Sequence, residues 1–413
     1  MPKKILLGAF LAILILSLLL PCALSNGLVE PPRVEWQRFF PGTVGYSVLQ
    51  TDDGGYAFTA LNSSASLLIK TDSLGNLVWS KAYQLGTETN LPYLIKTQDG
   101  GYALGGTLDN NYVVVKVDAQ GNVGWNQSYS YEAPFNSLRS FTQTGDGGYA
   151  LVGTFSPPQN ASHAVGQILF LKTDASGNIQ WSKVIAGPQG DFANSIFQTS
   201  DGGFVVFGTS WASETLPSSF KIIKMDAAGN EQWNRTYGGA GKFFTAESAS
   251  GILTRDGGFL LAGVSVEKDS EWLAWLVKTD SEGNMVWNQN FGEVGSWALC
   301  VVSCQEGGYT FAGLHNGKDS WLVKTDANGA TKWNMTFIGA STWGSSIEDF
   351  GKCLIQAKDG GYVLVGSEDS QIWLAKIAGS AQPSRGLLVE AALVAIVVAV
   401  IVILVVTFRL RHR

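Results

Sequence analysis

The sequence predicts an all-β fold in which seven similar units of four short strands form a closed ring. The chain of 413 residues has 49 glycines and only 15% charged residues, so it is rich in turns and poor in charge. A glycine-containing tetrad recurs seven times, at intervals of 46 to 55 residues. Repeats of this length that carry short apolar runs are typical of a β-propeller. We therefore expect seven four-stranded antiparallel blades.

Each repeat contains a tetrad of one acidic residue, two glycines and one aromatic residue. The seven tetrads begin at Asp53, Asp99, Asp146, Asp201, Asp256, Glu306 and Asp359. We place strand A before the tetrad and strand B directly after it. Strand C ends at a lysine, namely Lys70, Lys116, Lys172, Lys224, Lys278, Lys324 or Lys376. A turn such as residues 72–75 follows, and its glycine supplies the positive φ that a tight hairpin between strands C and D needs.

The tryptophans predict how the ring closes. Six of them follow their own turns and mark strand D, at Trp79, Trp125, Trp181, Trp233, Trp287 and Trp333. The seventh, Trp36, precedes the first tetrad, and no tryptophan follows Lys376. We therefore expect residues 35–40 to form strand D of the last blade, which removes an open sheet edge at the seam. The blades then occupy residues 34–377.

Both ends of the chain lie outside the repeats. Residues 1–25 have the order of a secretory signal peptide, with an uncleaved anchor as the alternative. Residues 391–408 form an apolar run, which residues 387–389 lengthen beyond Glu390, so we predict a transmembrane helix at 387–408. The arginines of the short tail at 409–413 predict that this end stays in the cytoplasm. We expect a single-pass protein of the cell membrane, with residues 26–385 outside the cell.

Charge and composition narrow the choice of partners and chemistry. The net charge is −6, and residues 26–385 alone carry −10, whereas nucleic-acid binding needs the opposite sign. Three histidines and four cysteines predict no metal site, and the Asp-x-x-Gly-Asn turns cluster too few carboxylates for an EF-hand-like calcium site. We recognise no nucleophile motif and no phosphate-binding loop. We therefore assign no cofactor and no catalytic residue.

The Asp-Gly-Gly-Tyr tetrads and the Asp-x-x-Gly-Asn-x-x-Trp endings resemble the repeats of kelch-type and quinoprotein-type propellers, and glycine-rich propeller arrays on prokaryotic cell surfaces. The resemblance covers residues 34–377. The ending is similar to the tryptophan-docking motif of quinoprotein blades. A quinoprotein dehydrogenase implies, in addition, a vicinal cysteine pair and calcium ligands at the axis. Because this chain has no adjacent cysteines, the resemblance implies the fold and not that activity.

Two sets of recurring residues receive a structural interpretation. The strand C lysines and the tetrad acids belong to the same face, and their recurrence in every blade indicates Lys–Asp pairing, with a cationic ligand site as the alternative. Six residues before the tetrads lie Ser47, Tyr93, Ser140, Ser195, Ser250, Cys300 and Cys353. Bulky side chains there would overpack the axis. We interpret Cys300 and Cys353 as two buried thiols in the place of serine, with a disulfide as the alternative.

The opposite face consists of the B–C and D–A connections, in which nothing recurs. Ligand-binding residues tend to lie on irregular loops of a rigid scaffold. The candidates are Phe192, Trp211, Phe243, Phe244, Trp297, His315 and Trp343, with Glu132, Asp191 and Glu247 as further polar groups. The alternative for each of them is packing between blades.

Five N-x-Ser/Thr sequons are candidates for glycosylation: Asn62, Asn126, Asn160, Asn234 and Asn334. Three of them, Asn126, Asn234 and Asn334, directly follow a strand D tryptophan. If that tryptophan points inward, the next side chain on the outermost strand points to solvent.

These observations favour a non-enzymatic recognition or adhesion protein that binds a glycan or a protein through the loop-rich face. One alternative is an extracellular propeller enzyme, either glycoside-processing or redox; a hydrolase would need two carboxylates about 5–10 Å apart. The other alternative is a structural component of a surface layer. The sequence leaves the ligand open.

Overall fold

The computed structural model describes residues 31–62, 65–85, 90–131, 135–156, 166–186, 190–210, 219–238, 250–267, 271–317, 319–337, 354–368 and 371–379. Within these ranges the regular secondary structure is β-strand throughout, in 28 strands. The predicted signal segment and the predicted span at 387–408 lie outside the described residues.

The strands follow the predicted order. The chain starts with β1 (Val34–Phe40) and continues with blade 1: β2 (Val44–Gln50), β3 (Tyr56–Leu61), β4 (Ser66–Thr71) and β5 (Leu77–Tyr83). Blade 2 is β6 (Asn90–Lys96), β7 (Tyr102–Leu108), β8 (Asn111–Val117) and β9 (Val123–Tyr129). Blade 3 is β10 (Phe135–Gln143), β11 (Tyr149–Ser156), β12 (Gln167–Thr173) and β13 (Ile179–Ile185).

The second half of the ring repeats this pattern. Blade 4 is β14 (Asp191–Gln198), β15 (Phe204–Ser210), β16 (Ser219–Met225) and β17 (Glu231–Tyr237). Blade 5 is β18 (Ser250–Leu253), β19 (Phe259–Glu267), β20 (Glu271–Thr279) and β21 (Met285–Phe291). Blade 6 is β22 (Trp297–Ser303), β23 (Tyr309–His315), β24 (Asp319–Thr325) and β25 (Thr331–Phe337). Blade 7 contains β26 (Leu354–Gln356), β27 (Tyr362–Glu368) and β28 (Gln371–Ile377).

The seven sheets confirm the seven-bladed propeller. Each has four antiparallel strands, and the inner strands A of neighbouring blades contact one another around the whole ring. Blade 7 has the order β1-β28-β27-β26, so the N-terminal strand completes the last sheet as predicted. Trp36 pairs with Lys376 and Val34 with Ile377. The chain therefore enters and leaves the propeller at the same face.

Left-handed glycines close both kinds of hairpin. The first glycine of every tetrad has φ between +79° and +92°, as Gly54 does with +84°. The glycine of each C–D turn has φ between +73° and +84°. In these C–D turns an aspartate caps the loop, since Asp72 Oδ1 accepts hydrogen bonds from the backbone N–H groups of Leu74 and Asn76. The repeated glycines are therefore required by backbone conformation.

The hydrophobic core lies between the blades. One buried cluster combines Val152 and Phe170 of blade 3 with Ile196 and Val206 of blade 4, and other clusters join further pairs of neighbours in the same way. A sheet buries both faces only when a blade packs on each side of it. Ring closure is therefore a condition for burying the core.

A strand D tryptophan docks each blade onto the next. A Cβ added to the C–D turn glycines would come within 2.6–3.1 Å of the preceding blade's indole, as for Trp181 over Gly229. Five of these six indoles, and Trp333 of blade 6, also lie 5.6–6.3 Å, between ring centroids, from the aromatic residue of the next tetrad. Trp36 makes both contacts across the seam, with Gly75 and Tyr56 of blade 1.

Glutamines that the sequence analysis did not single out bridge several blades. Gln50, Gln143, Gln198 and Gln356 lie three residues before their tetrads. Each donates its amide N–H to its own A–B turn and accepts a backbone N–H from the neighbouring blade's turn. In blade 2, Lys96 takes this position and pairs with Asp52 of blade 1.

One cysteine expectation is wrong. Cys300 is disulfide-bonded and is not a buried thiol in the place of serine. Cys304 is a free, fully buried thiol. Cys353 lies outside the described residues.

Docking at the seam predicts a selective effect of Trp36→Ala. The substitution removes the half-buried indole and with it the packing against Gly75 and Tyr56. We therefore expect the free energy of unfolding to fall by about 2–4 kcal/mol. The matched control is Phe39→Ala on the same strand, because Phe39 is 48% exposed. Urea unfolding followed by tryptophan fluorescence measures both. Equal, small losses in the two variants would contradict docking as the seam contact.

Candidate functional site

The propeller has two chemically different faces. The A–B and C–D turns form one of them, here called the turn face. The B–C and D–A connections form the other, here called the loop face. Since Val34 and Ile377 pair at the turn face, the loop face lies opposite the points where the chain enters and leaves the propeller.

On the turn face, every blade contains one ion pair between the strand C lysine and the tetrad acid. The seven N–O distances are 2.6–3.0 Å, which confirms the predicted pairing. The lysine side chains are only 3–12% exposed, whereas the acids are 47–65% exposed. The lysine thus passes under the turn and meets the acid at the surface. We call this unit the lysine clasp.

The second glycine of the tetrad makes room for the lysine. A Cβ on Gly55 would lie 2.1 Å from the Thr71 carbonyl oxygen and 2.7 Å from Lys70 Nζ. The first five blades add a threonine two residues before the acid, whose hydroxyl donates to the carboxylate, as Thr51 does to Asp53. Cys304 has this position in blade 6, and its Sγ lies 3.1 Å from Thr310 Oγ1. These threonines were not predicted, although their recurrence two residues before the acid in five repeats is a signal in the sequence.

The clasp lowers the pKa of its carboxyl groups. The hydrogen bond from lysine is the largest cause for Asp53, Asp99 and Asp201, and it lowers the pKa of each to about 2. Burial raises the pKa of Asp146 and Asp256, but hydrogen bonds from lysine and threonine outweigh it and the pKa is again about 2. Each carboxylate is thus ionised and paired with the lysine of its own blade. This favours the structural interpretation over a cationic ligand site.

Three of the seven ligand-binding candidates lie within the described part of the loop face. Phe192 is half-buried at the start of strand A in blade 4, where a Cβ on Gly166 would touch its ring. Trp297 starts strand A of blade 6, and His315 ends strand B of the same blade. Trp211, Phe243, Phe244 and Trp343 lie outside the described residues, as do Glu132 and Glu247.

The structure brings Trp297 and His315 into one aromatic group between blades 5 and 6. Trp272, which the sequence analysis did not single out, stacks on Trp297 with centroids 5.0 Å apart and planes at 23°. His315 lies 5.2 Å from the Trp321 ring, and its Nδ1 is 3.4 Å from Ser296 Oγ. Trp297 and Trp321 are buried, while Trp272 and His315 are partly exposed. These four residues form the blade 5/6 aromatic group.

Backbone hydrogen bonds hold the loops around this aromatic group. The Gly295 N–H donates to the Trp272 carbonyl at 2.8 Å, and the Gly317 N–H donates to the Gly295 carbonyl at 2.8 Å. The two bonds join strand C of blade 5, the D–A connection and the B–C turn of blade 6. Val294, at the tip of that connection, is 53% exposed. The exposed edge of the group is therefore preorganised.

A buried ion pair lies at the loop end of the boundary between blades 3 and 4. Lys221 Nζ lies 2.6 Å from Asp191 Oδ2, with side-chain exposures of 11% and 0%. Among the described strands A, only that of blade 4 begins with an acidic residue, so this ion pair is not part of the repeat. Its other oxygen, Asp191 Oδ1, is buried and has no hydrogen-bond partner.

Further acceptors without a partner lie near the same end of the neighbouring blades. They are Asn90 Oδ1, Asn136 Oδ1 and Thr154 Oγ1. Asn90 and Asn136 lie at the start of strand A in blades 2 and 3, and Thr154 lies near the end of strand B in blade 3. Buried oxygens of this kind call for a hydrogen-bond donor. The loop end of blades 2 to 4 thus carries unused acceptors, whereas the clasp carboxylates of the turn face are paired.

The predicted glycosylation sites lie at different places on the propeller. Asn126, Asn234 and Asn334 are exposed on the outer strands of blades 2, 4 and 6, so the predicted outward direction is confirmed. Asn62 is partly buried in the B–C turn of blade 1, where its Oδ1 accepts the Ala65 N–H at 2.7 Å. Asn160 lies outside the described residues.

Comparisons with known proteins do not extend this picture. The chain matches no protein-family model, and no curated protein is significantly similar to it. The resemblance to kelch-type and quinoprotein-type repeats therefore stays a prediction from the motifs. Within the described ranges no three His, Cys, Asp or Glu side chains come together as metal ligands, and no helix there has the length and hydropathy of a membrane span.

The clasp predicts that loss of one acid destabilises the blade. In an Asp256→Ala variant Lys278, whose side chain is 3% exposed, keeps only the Thr279 carbonyl as an acceptor. We expect the free energy of unfolding to fall by about 1–3 kcal/mol, the cost of a buried donor that loses its partner. The control is Asp52→Ala, which removes the exposed pair with Lys96 and should leave the urea midpoint unchanged. A shift as large in the control would contradict the role of lysine burial.

The lowered pKa values predict acid sensitivity below pH 4. Five clasp aspartates have a pKa of about 2 in the folded chain against an ordinary value of 3.8. Their contribution to stability is therefore complete above about pH 4 and disappears as pH falls towards 2. Thermal unfolding between pH 2 and 7 measures this dependence. The midpoint should fall less steeply for Asp256→Asn, and an identical slope would contradict the prediction.

Proposed function

We propose that this protein is a cell-surface recognition or adhesion protein, which binds its ligand through the loop face without transforming it. The observation that carries the proposal is the contrast between the two faces. The turn face repeats one self-satisfied clasp seven times. The loop face has blade-specific groups, including the blade 5/6 aromatic group and the buried Asp191–Lys221 pair. Non-repeating chemistry on a repeating scaffold is typical of a binding surface.

The groups of the loop face favour a glycan over a protein as the ligand. A sugar ring packs its C–H face on an indole, and the partly exposed Trp272, which stacks on Trp297, presents one. A protein ligand is the second possibility and an outcome of the test below.

Several features support a location outside the cytoplasm. A disulfide at Cys300 is typical of oxidising compartments. Three exposed sequons lie on outer strands. Together with the predicted signal peptide at 1–25 and the predicted span at 387–408, they support a single-pass protein whose propeller is extracellular and whose tail at 409–413 is cytoplasmic.

Glycan binding by the full-length chain in detergent tests the proposal. We expect binding to a subset of an oligosaccharide array, and Trp272→Ala should weaken it at least about tenfold, since a central aromatic contact contributes about 1.4 kcal/mol or more. Val286→Ala is the control, because Val286 is 61% exposed in the same blade but lies on strand D. Thermal unfolding of each variant checks that the fold is retained.

The remaining outcomes separate the alternatives. If the chain binds only surface proteins and Trp272→Ala weakens that binding, the loop face is still the binding surface but its ligand is a protein. Shortened or oxidised oligosaccharides after incubation would favour the propeller enzyme. Self-association without any ligand would favour the surface-layer component. If the chain binds neither glycans nor proteins, the proposal is wrong.

A further inference from the structure

Most exposed apolar side chains of the propeller lie at one position of the repeat, the start of strand D. In the described part of the chain ten large hydrophobic side chains are exposed, and three of them, Phe39, Val184 and Val294, lie elsewhere. The other seven lie in a C–D turn or on the first two residues of strand D and are 47–61% exposed. They are Leu74, Leu77, Val78, Val123, Ile179, Met285 and Val286. Because strand D starts at the C–D turn, these residues form an apolar rim at the outer edge of the turn face.

The apolar rim is uneven around the ring. Strand D starts with an apolar residue in blades 1, 2, 3 and 5, but with Glu231 in blade 4 and Thr331 in blade 6. The rim is densest in blade 1, where Leu74, Leu77 and Val78 are all 57–60% exposed. Blade 1 adjoins blade 7, at which the chain enters and leaves the propeller. Since the repeat accepts polar residues at this position, exposed apolar residues on three successive blades indicate an interaction surface.

The course of the chain indicates what covers the apolar rim. Strand β28 ends at the turn face with Ile377, and the described part of the propeller ends at Gly379. The predicted span begins eight positions later, at 387, and eight residues reach at most about 28 Å in an extended chain. We propose that the apolar rim of blades 1 to 3 contacts the surface of the lipid bilayer that the predicted span enters. This inference rests on the single-pass location that belongs to the proposed function.

Basic side chains flank the apolar rim. Arg38, Lys81 and Lys183 each lie two residues after a docking tryptophan and reach the C–D turn of the next blade. Lys81 Nζ lies 3.3 Å from Asn122 Oδ1, and Lys183 Nζ lies 2.5 Å from Asn230 Oδ1. The turn aspartates nearby accept backbone N–H groups of their own turns. Apolar side chains with lysine and arginine at their margin are typical of a surface that binds at the level of the lipid headgroups.

A lipid surface fits the apolar rim better than a second copy of the chain does. In a two-fold contact the same surface faces itself, so Arg38, Lys81 and Lys183 would meet basic side chains of the same kind. At a bilayer these groups lie at the level of the lipid phosphates. Contact at the turn face also directs the loop face, with the blade 5/6 aromatic group, away from the membrane. The apolar rim thus holds the proposed binding surface towards its ligand.

Photolabelling of the full-length chain in phosphatidylcholine vesicles tests the contact. A small fraction of the lipid carries a diazirine in its headgroup, and adducts are mapped by mass spectrometry after digestion. We expect adducts on Leu74, Leu77 and Ile179. Val184 is the matched control, because it is 46% exposed against 48% for Ile179 but lies towards the loop end of the same strand. A Leu74→Asp/Leu77→Asp variant should carry at least about threefold fewer adducts at residues 72–79, since it removes two apolar side chains from the lipid surface.

The other outcomes separate this inference from the proposed function. Adducts on 387–408 report the predicted span independently of the apolar rim. If the span is labelled and the rim is not, the inference is wrong and the proposed location stands; if neither is labelled, both are wrong. Equal labelling of Ile179 and Val184 would indicate random collision and overturn the inference. So would a rim that is protected from the lipid probe in vesicles where the chain is dimeric. An unchanged thermal midpoint of Leu74→Asp/Leu77→Asp checks that its fold is retained.

Discussion

The contact on which the ring depends is the indole of one blade against the turn glycine of the next. A four-stranded sheet of this protein buries its apolar residues only between two neighbours, so no blade is stable by itself. The tryptophan ties each outer strand to the following blade, where a Cβ would come within 2.6–3.1 Å of the ring. Trp36 transfers the same contact to the seam. The two ends of the propeller chain are thereby held by the contact that holds five of the six internal boundaries. At the boundary between blades 6 and 7, Trp333 contacts Tyr362 instead.

The lysine clasp explains why the turn face is uniform. A buried lysine would be costly without a partner, and the tetrad acid supplies one at 2.6–3.0 Å. The first tetrad glycine turns the chain, and the second leaves space for the ammonium group. Thr51 and its counterparts hold the carboxylate in place. The aromatic residue of the tetrad contacts the indole of the preceding blade, as Tyr56 contacts Trp36. All four residues of the tetrad therefore have structural roles, which leaves blade-specific chemistry to the loop face.

Periodicity in the sequence predicted what the repeat itself determines. Seven tetrads predicted seven blades, the offset of Trp36 predicted the closing strand, and the recurring lysines predicted the ion pairs. Contacts between non-recurring residues left no periodic signal. The stacking of Trp272 on Trp297 joins residues 25 positions apart in different blades, and the Asp191–Lys221 pair occurs in one blade alone. Trp297 and His315 were found because aromatic and histidine side chains stand out in loops, but their mutual arrangement depends on how two blades meet.

Cys300 shows where reasoning from recurrence fails. Cysteine replaces serine at a position whose size limit the sequence revealed, and size alone favoured a buried thiol. What size does not express is direction: at this position the side chain points along the ring, to the next inner strand, as the serine hydrogen bonds of blades 3 and 4 demonstrate. A position that limits size and also directs the side chain towards the next inner strand permits a disulfide, and Cys300 is disulfide-bonded there. Size alone therefore does not distinguish a buried thiol from a bonded cysteine.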